Sequence, residues 1–230
     1  MIDENEITRV SLFATPTYKI KFKDHEKYKK EFIDYIENVE GFPNTGRSTL
    51  QFTSANLHKT KVFKPFTDFV HDSLEYVMKD CGFQPSIKMT GLWSTKHEEG
   101  GFHHQHTHHN SMWGGVYYLE GTQNNSGTTF YNPNHYHAII DPAHIKGATR
   151  RFLKTHTSKF EEGMMVIFPA WLEHNTDRNN LARTGSIRRI LSFNAMPIGK
   201  TTFDPFDRYN YPDPTGLDMM DYYEGKEPKK

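Results

Sequence analysis

Short apolar runs broken by Gly, Pro and Asn fill the sequence after Gly82, and this texture restricts the fold more than any other feature of the chain. Runs of this length suit β-strands, whereas helices need longer periodic segments. Their repeated spacing is typical of an all-β sandwich or barrel. The runs are SIKMTGLWSTK, SMWGGVYYLEG, GTTFYNP, HAIID, MMVIFP and IRRILSFNAMP.

Two segments before Gly82 carry a helical period instead. Apolar side chains recur at steps of three and four in residues 24–39, and a longer stripe follows in residues 63–82, where Gly82 is placed to end a helix. Further upstream, residues 12–22 alternate between apolar and polar types, which predicts an edge strand. The chain is therefore expected to have an all-β core with flanking helices on one side.

The length of 230 residues favours one domain, which we place at residues 1–198, followed by a partly ordered C-terminal extension at 199–230. Lys plus Arg equals Asp plus Glu at 28 each, so no long-range field steers the chain to nucleic acid. No apolar run approaches the roughly 18 residues of a membrane span, and the N-terminus lacks a signal-peptide pattern. We expect a cytoplasmic protein without a membrane or nucleic-acid partner.

The stretch GFHHQHTHHN, residues 101–110, contains five histidines. Because residues i and i+2 of a strand share a face, it offers two pairs for a metal, His104 with His106 and His106 with His108. Spacing alone does not choose between the pairs, while His103 and His109 have the opposite parity and should point away. Cys81 is the only cysteine, so a metal must rest on His, Asp or Glu.

A third ligand can come from His174, which follows the predicted strand MMVIFP after a Pro stop. Three residues on one face of an iron leave open positions for a co-substrate and O₂. Farther on, Arg188 and Arg189 stand in an otherwise apolar strand. Since neighbouring residues of a strand point to opposite faces, only one of the two arginines can point inward, and the sequence leaves open which one. The planar guanidinium of that arginine would bind a carboxylate through two hydrogen bonds.

Several motifs follow one another from about residue 10 to 198. They resemble those of the iron- and 2-oxoglutarate-dependent dioxygenases, and most closely those of a subgroup of bacterial and phage proteins. One departure from the wider superfamily is His108, which stands where most members have Asp. The matched residues are Leu12 to Pro16, Trp93, His106, His108, Ser111, Gly115, Val116, Tyr117, Tyr118, Ser126, Gly127, Phe130, Pro133, Gly163, Phe168, Pro169, Trp171, Leu172, His174, Arg188, Phe193 and Asn194.

The resemblance implies a double-stranded β-helix, that is, a cupin-like jelly roll, with the two N-terminal helices packed on it. It implies Fe(II) bound by His106, His108 and His174, and 2-oxoglutarate held at its far carboxylate by Arg188 and Tyr118, with O₂ as the second co-substrate. The implied reaction is hydroxylation, with no catalytic side chain beyond the metal centre.

Two other functions remain open at this point. A cupin-type metal-binding protein, or a three-histidine iron dioxygenase that does not use 2-oxoglutarate, would share the barrel, and Gly100 and Gly163 stand at cupin-like distances from His106 and His174. A non-enzymatic binding module is the third reading. The sequence does not separate a small-molecule substrate from a peptide side chain, and it does not indicate an oligomeric state.

Overall fold

The computed structural model describes residues 13–38, 42–43, 50–83, 86–134, 146, 153–200 and 210–211. The two predicted N-terminal helices are confirmed. In the second, Pro65 lies in the first turn, where its missing N–H costs nothing, and Gly82 follows the end with a φ of 75°. The helices are α1 (His25–Asn38), α2 (Lys64–Asp80) and α3 (Leu181–Thr184), with a 3-10 turn at Leu57–Lys59.

Seven antiparallel strands form the larger sheet, in the order β1-β9-β6-β11-β4-β3-β2. The long pairings of β11 with β4 and β6 make it the centre of this sheet. The strands are β1 (Tyr18–Lys21), β2 (Phe42–Pro43), β3 (Leu50–Phe52), β4 (Ile87–His97), β6 (Trp113–Glu120), β9 (Met164–Pro169) and β11 (Arg188–Pro197).

A smaller sheet of four strands has the order β5-β10-β7-β8. Its members are β5 (His103–His106), β7 (Thr128–Tyr131), β8 (Thr155–Ser158) and β10 (His174–Thr176). A separate pair joins β12 (Gly199–Lys200) to β13 (Asn210–Tyr211). The predicted all-β core with helices on one side is therefore confirmed.

Successive side chains of the central strands point to opposite faces of the sheet, and each face has its own hydrophobic core. On β6, Tyr117 and Leu119 face the helices, whereas Val116 and Tyr118 belong to the cluster on the opposite face, with Phe130 of the smaller sheet. Strand β9 divides in the same way. Because both faces of these strands are buried, their sequences are nearly continuous apolar runs rather than alternating ones.

Some predicted elements differ from the structure. The edge strand expected over residues 12–22 is shorter, since β1 begins at Tyr18, although it does lie at the sheet edge beside β9. Strands β2, β3 and β8 were not predicted. The run HAIID and most of the proposed extension at 199–230 lie outside the described residues, so the domain boundaries remain a prediction. Among the residues that are described, no helix is long and apolar enough to cross a membrane.

Candidate metal centre and adjoining cleft

A cleft opens between the two sheets, and both sheets contribute to its walls. The larger sheet supplies alternate residues of β4 and β11, and the smaller sheet supplies most of the histidines. The lining residues are Trp93, Thr95, His97, His103, His106, His108, Gly115, Val116, Thr128, Phe168, His174, Thr176, Ile190 and Ser192.

His106, His108 and His174 come together at this cleft. His106 and His174 lie directly opposite one another on the paired strands β5 and β10. His108 follows β5, and its backbone N–H donates to the carbonyl of Ala170 at 2.9 Å, which ties it to the turn before His174. One ring nitrogen from each of the three lies within 4.8 Å of the other two, an arrangement that could hold a metal ion.

The other ring nitrogen of each histidine is engaged by an oxygen acceptor. Nδ1 of His106 lies 2.7 Å from the carbonyl oxygen of His104, and Nδ1 of His174 lies 2.8 Å from that of Leu172. Nδ1 of His108 contacts Oδ1 of Asn194. Since these oxygens can only accept, each Nδ1 carries the proton and each Nε2 keeps its lone pair. Metal-binding histidines are commonly oriented in this way.

Electrostatics also favour neutral imidazoles here. Burial lowers the pKa of His108 to about 4, and burial together with the neighbouring His106 lowers the pKa of His174 to about 3. Burial lowers the pKa of His106 as well. At neutral pH all three rings are therefore neutral, with the lone pair of Nε2 available, which is the state that metal coordination requires.

The parity argument was wrong for His103, which lines the cleft instead of pointing away. Its ring centroid lies 4.1 Å from that of His106. The cause is an irregular register: His174 pairs with His106 but Thr176 pairs with His103, so β5 uses three steps where β10 uses two. A bulge of this kind turns an extra side chain toward the same face. His104 and His109 are exposed.

The two arginines of β11 point to opposite faces. Arg189 faces the helices, where it pairs with Glu37 of α1 and with Glu120 Oε2 at 3.2 Å. Arg188 shares the face of Ile190 and Ser192, which line the cleft. Its Nη1 donates to the carbonyl of Ser126 at 2.7 Å, and no carboxylate among the described residues forms an ion pair with it.

Arg188 is only 2% exposed. Burial lowers its pKa to about 10, which still leaves it charged at neutral pH. A buried cation without a carboxylate is costly in a folded protein, because neither water nor a counter-charge stabilises it. The cleft side of β11 therefore fits an anionic ligand, whereas the helix side has its charge already balanced.

Tyr118 is buried in the wall beside the cleft. Its hydroxyl lies 3.1 Å from Oγ1 of Thr128 and 3.2 Å from the carbonyl oxygen of Ser158, and it accepts the backbone N–H of Thr128 at 3.2 Å. Burial raises the pKa of this hydroxyl, so it stays protonated. The contact of Tyr118 with a carboxylate therefore remains a prediction. Of Tyr118 and its hydrogen-bond partner Thr128, it is Thr128 that lines the cleft.

Sequence reasoning missed the roles of His97 and Asn194. His97 has the parity of Trp93 and Thr95 on β4, and this alone could have placed it in the cleft. Asn194 belongs to a matched motif but had no role assigned, because its contact with His108 joins segments 86 residues apart.

Comparison with known proteins finds a similarity in the part of the chain that carries these residues. Residues 91–194 match the model of the family described as "Putative 2OG-Fe(II) oxygenase", and this span contains all three histidines and Arg188. This segment of the chain is therefore similar to the 2OG-Fe(II) oxygenases. A comparison with curated protein sequences gives no match.

Several solved structures share the fold of this chain at low sequence identity. HygX from Streptomyces hygroscopicus, crystallised with nickel, 2-oxoglutarate and hygromycin B, is 14% identical with a TM-score of 0.56, covering 86% of this chain and 92% of HygX. The epimerase SnoN from nogalamycin biosynthesis is 11% identical with a TM-score of 0.60, covering 85% and 86%.

A prolyl-4-hydroxylase from Pseudomonas putida is 12% identical with a TM-score of 0.55, covering 80% of this chain and 94% of the hydroxylase. These similarities confirm the predicted double-stranded β-helix, the jelly roll formed by the two facing sheets. At such identities they show the fold alone, and the chemistry must be argued from the residues of the cleft.

Proposed function

We propose that this chain is a non-haem iron oxygenase that couples oxidative decarboxylation of 2-oxoglutarate to hydroxylation of a second substrate. Fe(II) would be held by His106, His108 and His174. The far carboxylate of 2-oxoglutarate would be held by Arg188, with Tyr118 beside it. When bound, the iron and 2-oxoglutarate supply the oxidising chemistry with O₂, as cofactors do in such enzymes.

The observation that carries this proposal is Arg188, a fully buried guanidinium on the cleft face of β11 that contacts the cleft-lining His97 and pairs with no carboxylate of the described chain. Arg is suited to a ligand carboxylate because its planar fork donates two parallel hydrogen bonds. A cupin-type metal protein, or an iron dioxygenase that does not use 2-oxoglutarate, has no need of such a cation.

The other residues of the cleft would orient the ligands and exclude water. Three carbonyl oxygens fix the histidine rings through Nδ1, so that each Nε2 is directed by the protein rather than by the metal. Apolar walls come from Val116, Phe168 and Ile190. Excluding water strengthens the attraction between a carboxylate and Arg188, since the local dielectric is low.

The second substrate is proposed only as a small molecule or a peptide side chain. Comparable folds occur in an epimerase as well as in a hydroxylase, so the outcome of the reaction has to be tested separately from the use of 2-oxoglutarate. A hydroxylated product would gain one oxygen atom, whereas an epimer would keep the mass of its substrate.

The test is formation of succinate from 2-oxoglutarate by protein reconstituted anaerobically with Fe(II) and then exposed to O₂. We expect succinate in the wild type, even without substrate as slow uncoupled turnover, and none in His174→Ala. Screening small molecules and peptides for faster succinate release would then identify the substrate. If 2-oxoglutarate neither binds nor yields succinate under these conditions, the proposed function is wrong.

A further inference from the structure

His97 lies where β4 passes directly beside Arg188. The two residues are register partners across the β4–β11 ladder. The side chain of His97 is 1% exposed and lines the cleft, on the same face as Trp93 and Thr95. Nothing in the family match or the related structures assigns it a role.

The hydrogen bond between these two residues fixes the tautomer of His97. Nη2 of Arg188 lies 3.3 Å from Nε2 of His97. Because a guanidinium can only donate, Nε2 must be the acceptor, and the ring proton must sit on Nδ1. Burial, with the charge of Arg188 adding to it, lowers the pKa of His97 well below its usual value, so the ring stays neutral.

The protonated Nδ1 of His97 is buried and has no hydrogen-bond partner within the described part of the chain. Nε of Arg188 is also buried, and it too has no hydrogen-bond partner among the described residues. Buried donors in native proteins are nearly always satisfied, and leaving one unmet is costly. Two unmet N–H donors and one positive charge without a carboxylate partner among the described residues thus belong to two side chains in contact, of which His97 lines the cleft. This combination fits the oxygens of a carboxylate.

We propose that His97 is a second binding residue for the far carboxylate of 2-oxoglutarate, donating Nδ1–H to it while Nε2 holds the guanidinium of Arg188. This inference rests on the proposed function and extends it from one donor residue to two. His97 would then select for co-substrates with a distal carboxylate, because a 2-oxo acid without that group leaves both donors unmet.

Glutamine and asparagine substitutions separate the two nitrogens. In His97→Gln the amide lies near the position of Nε2, so its oxygen can still accept from Arg188, but the donor at Nδ1 is lost. In His97→Asn the amide lies near Nδ1, so a donor to the carboxylate remains and the contact with Arg188 is lost. A residue that merely supports Arg188 would tolerate Gln better than Asn, whereas a residue that donates to the carboxylate would tolerate Asn better.

The experiment is calorimetric titration of 2-oxoglutarate and of 2-oxopentanoate, which lacks the distal carboxylate, into anaerobic Fe(II)-loaded wild type, His97→Gln and His97→Asn. We expect His97→Gln to raise the Kd for 2-oxoglutarate by roughly 10- to 100-fold, the range for losing a hydrogen bond to a charged group. His97→Asn should lose less. The Kd for 2-oxopentanoate should not change in either variant.

Each result decides between the inference and its alternatives. If the wild type does not bind 2-oxoglutarate, the proposed function fails, and this inference fails with it. If the wild type binds and His97→Gln binds equally well, or better than His97→Asn, His97 only supports Arg188 and the inference is wrong. If His97→Gln does not fold, His97→Asn against His97→Leu makes the same test, and equal affinity in those two variants would overturn the inference.

Discussion

Arg188 and Arg189 are neighbours on β11, and each is 2% exposed, yet their surroundings are opposite. On the helix side, Arg189 is balanced by the carboxylates of Glu37 and Glu120. On the cleft side, the partners of Arg188 among the described residues are a carbonyl and a neutral imidazole. The comparison teaches that burial of a charge does not reveal its purpose. A buried charge that the protein balances with its own carboxylates stabilises the fold. A buried charge that the protein leaves unbalanced is a candidate for binding a ligand.

The same contrast extends to the histidines of the two faces. His25, on α1, is buried against the helix side of the sheet, where its Nδ1 lies 2.5 Å from the hydroxyl of Tyr117. His174 is equally buried, but its free nitrogen faces two others of the same kind. The helix side therefore uses a histidine for packing, and the cleft side collects histidines for coordination.

The largest effect is expected from removing a metal ligand. His174→Ala should weaken metal binding by more than the roughly 100-fold that follows when a ligand only loses its hydrogen-bond partner. His25→Ala is the matched control, because it removes a buried histidine from the other face and should keep the metal affinity. Titration of each apoprotein with Co(II), followed by its visible absorbance, measures both. Equal losses in the two variants would contradict the contrast between the faces.

Acid should destabilise the metal-free protein through the cleft histidines. Their pKa values in the folded state, about 3 for His103 and His174 and about 4 for His108, lie below the unfolded value near 6.5. Below that pH the unfolded chain therefore binds more protons, so the free energy of unfolding should fall as the pH drops from about 6.5 toward 4.

Chemical denaturation of the apoprotein between pH 7 and pH 4 measures this dependence. The double variant His103→Phe and His174→Phe should flatten the curve, because two of the groups that take up protons on unfolding are gone. A pH dependence as steep as that of the wild type would show that the acid sensitivity arises elsewhere in the fold.

The two arginines should affect stability with opposite signs. Arg188→Met removes a buried charge that pairs with no carboxylate in the described part of the chain, and we expect the unfolding free energy of the apoprotein to rise by roughly 1–3 kcal/mol. Arg189→Met removes charge-assisted hydrogen bonds to Glu37 and Glu120, and we expect a loss of roughly 1–3 kcal/mol. Urea denaturation at pH 7 compares the two. Destabilisation by both variants to the same extent would remove the distinction on which the proposed function depends.

A smaller effect is expected at Asn194, the partner of His108. Asn194→Ala should lower metal affinity by about 10- to 100-fold, because the His108 ring loses the acceptor that fixes its tautomer. Asn194→Asp keeps an acceptor at the same place and should keep the affinity. Competition with a chelator of known affinity would measure both, and an unchanged Asn194→Ala would show that the ring is oriented by packing alone.

The sequence predicts the elements whose patterns are local. Helices α1 and α2 follow from their apolar period, and β6, β9 and β11 from apolar runs too short for helices. Strand β8 was missed because Thr155–Ser158 is wholly polar and takes its place only by pairing with β7.

The rest of the site is decided by contacts between residues that are far apart in the sequence. The bulge that brings His103 into the cleft depends on the register between β5 and β10, and no residue of the histidine stretch signals it. The choice between Arg188 and Arg189 is decided by Glu37, which lies 152 residues from Arg189 in the chain. The alternation of side chains along β11 shows only that the two arginines point to opposite faces. The packing of α1 against the sheet shows that Arg189 is the one whose charge is already balanced.

The central claim is that the uncompensated Arg188, and not its neighbour, binds the co-substrate. Its most direct test is the Kd of 2-oxoglutarate for anaerobic Fe(II)-loaded wild type, Arg188→Met and Arg189→Met, measured by calorimetry. We predict that Arg188→Met weakens binding by at least about 30-fold, as expected for losing one partner of a buried charge pair, and that Arg189→Met leaves the Kd unchanged. Wild-type affinity in Arg188→Met, or equal weakening in both variants, would contradict the account.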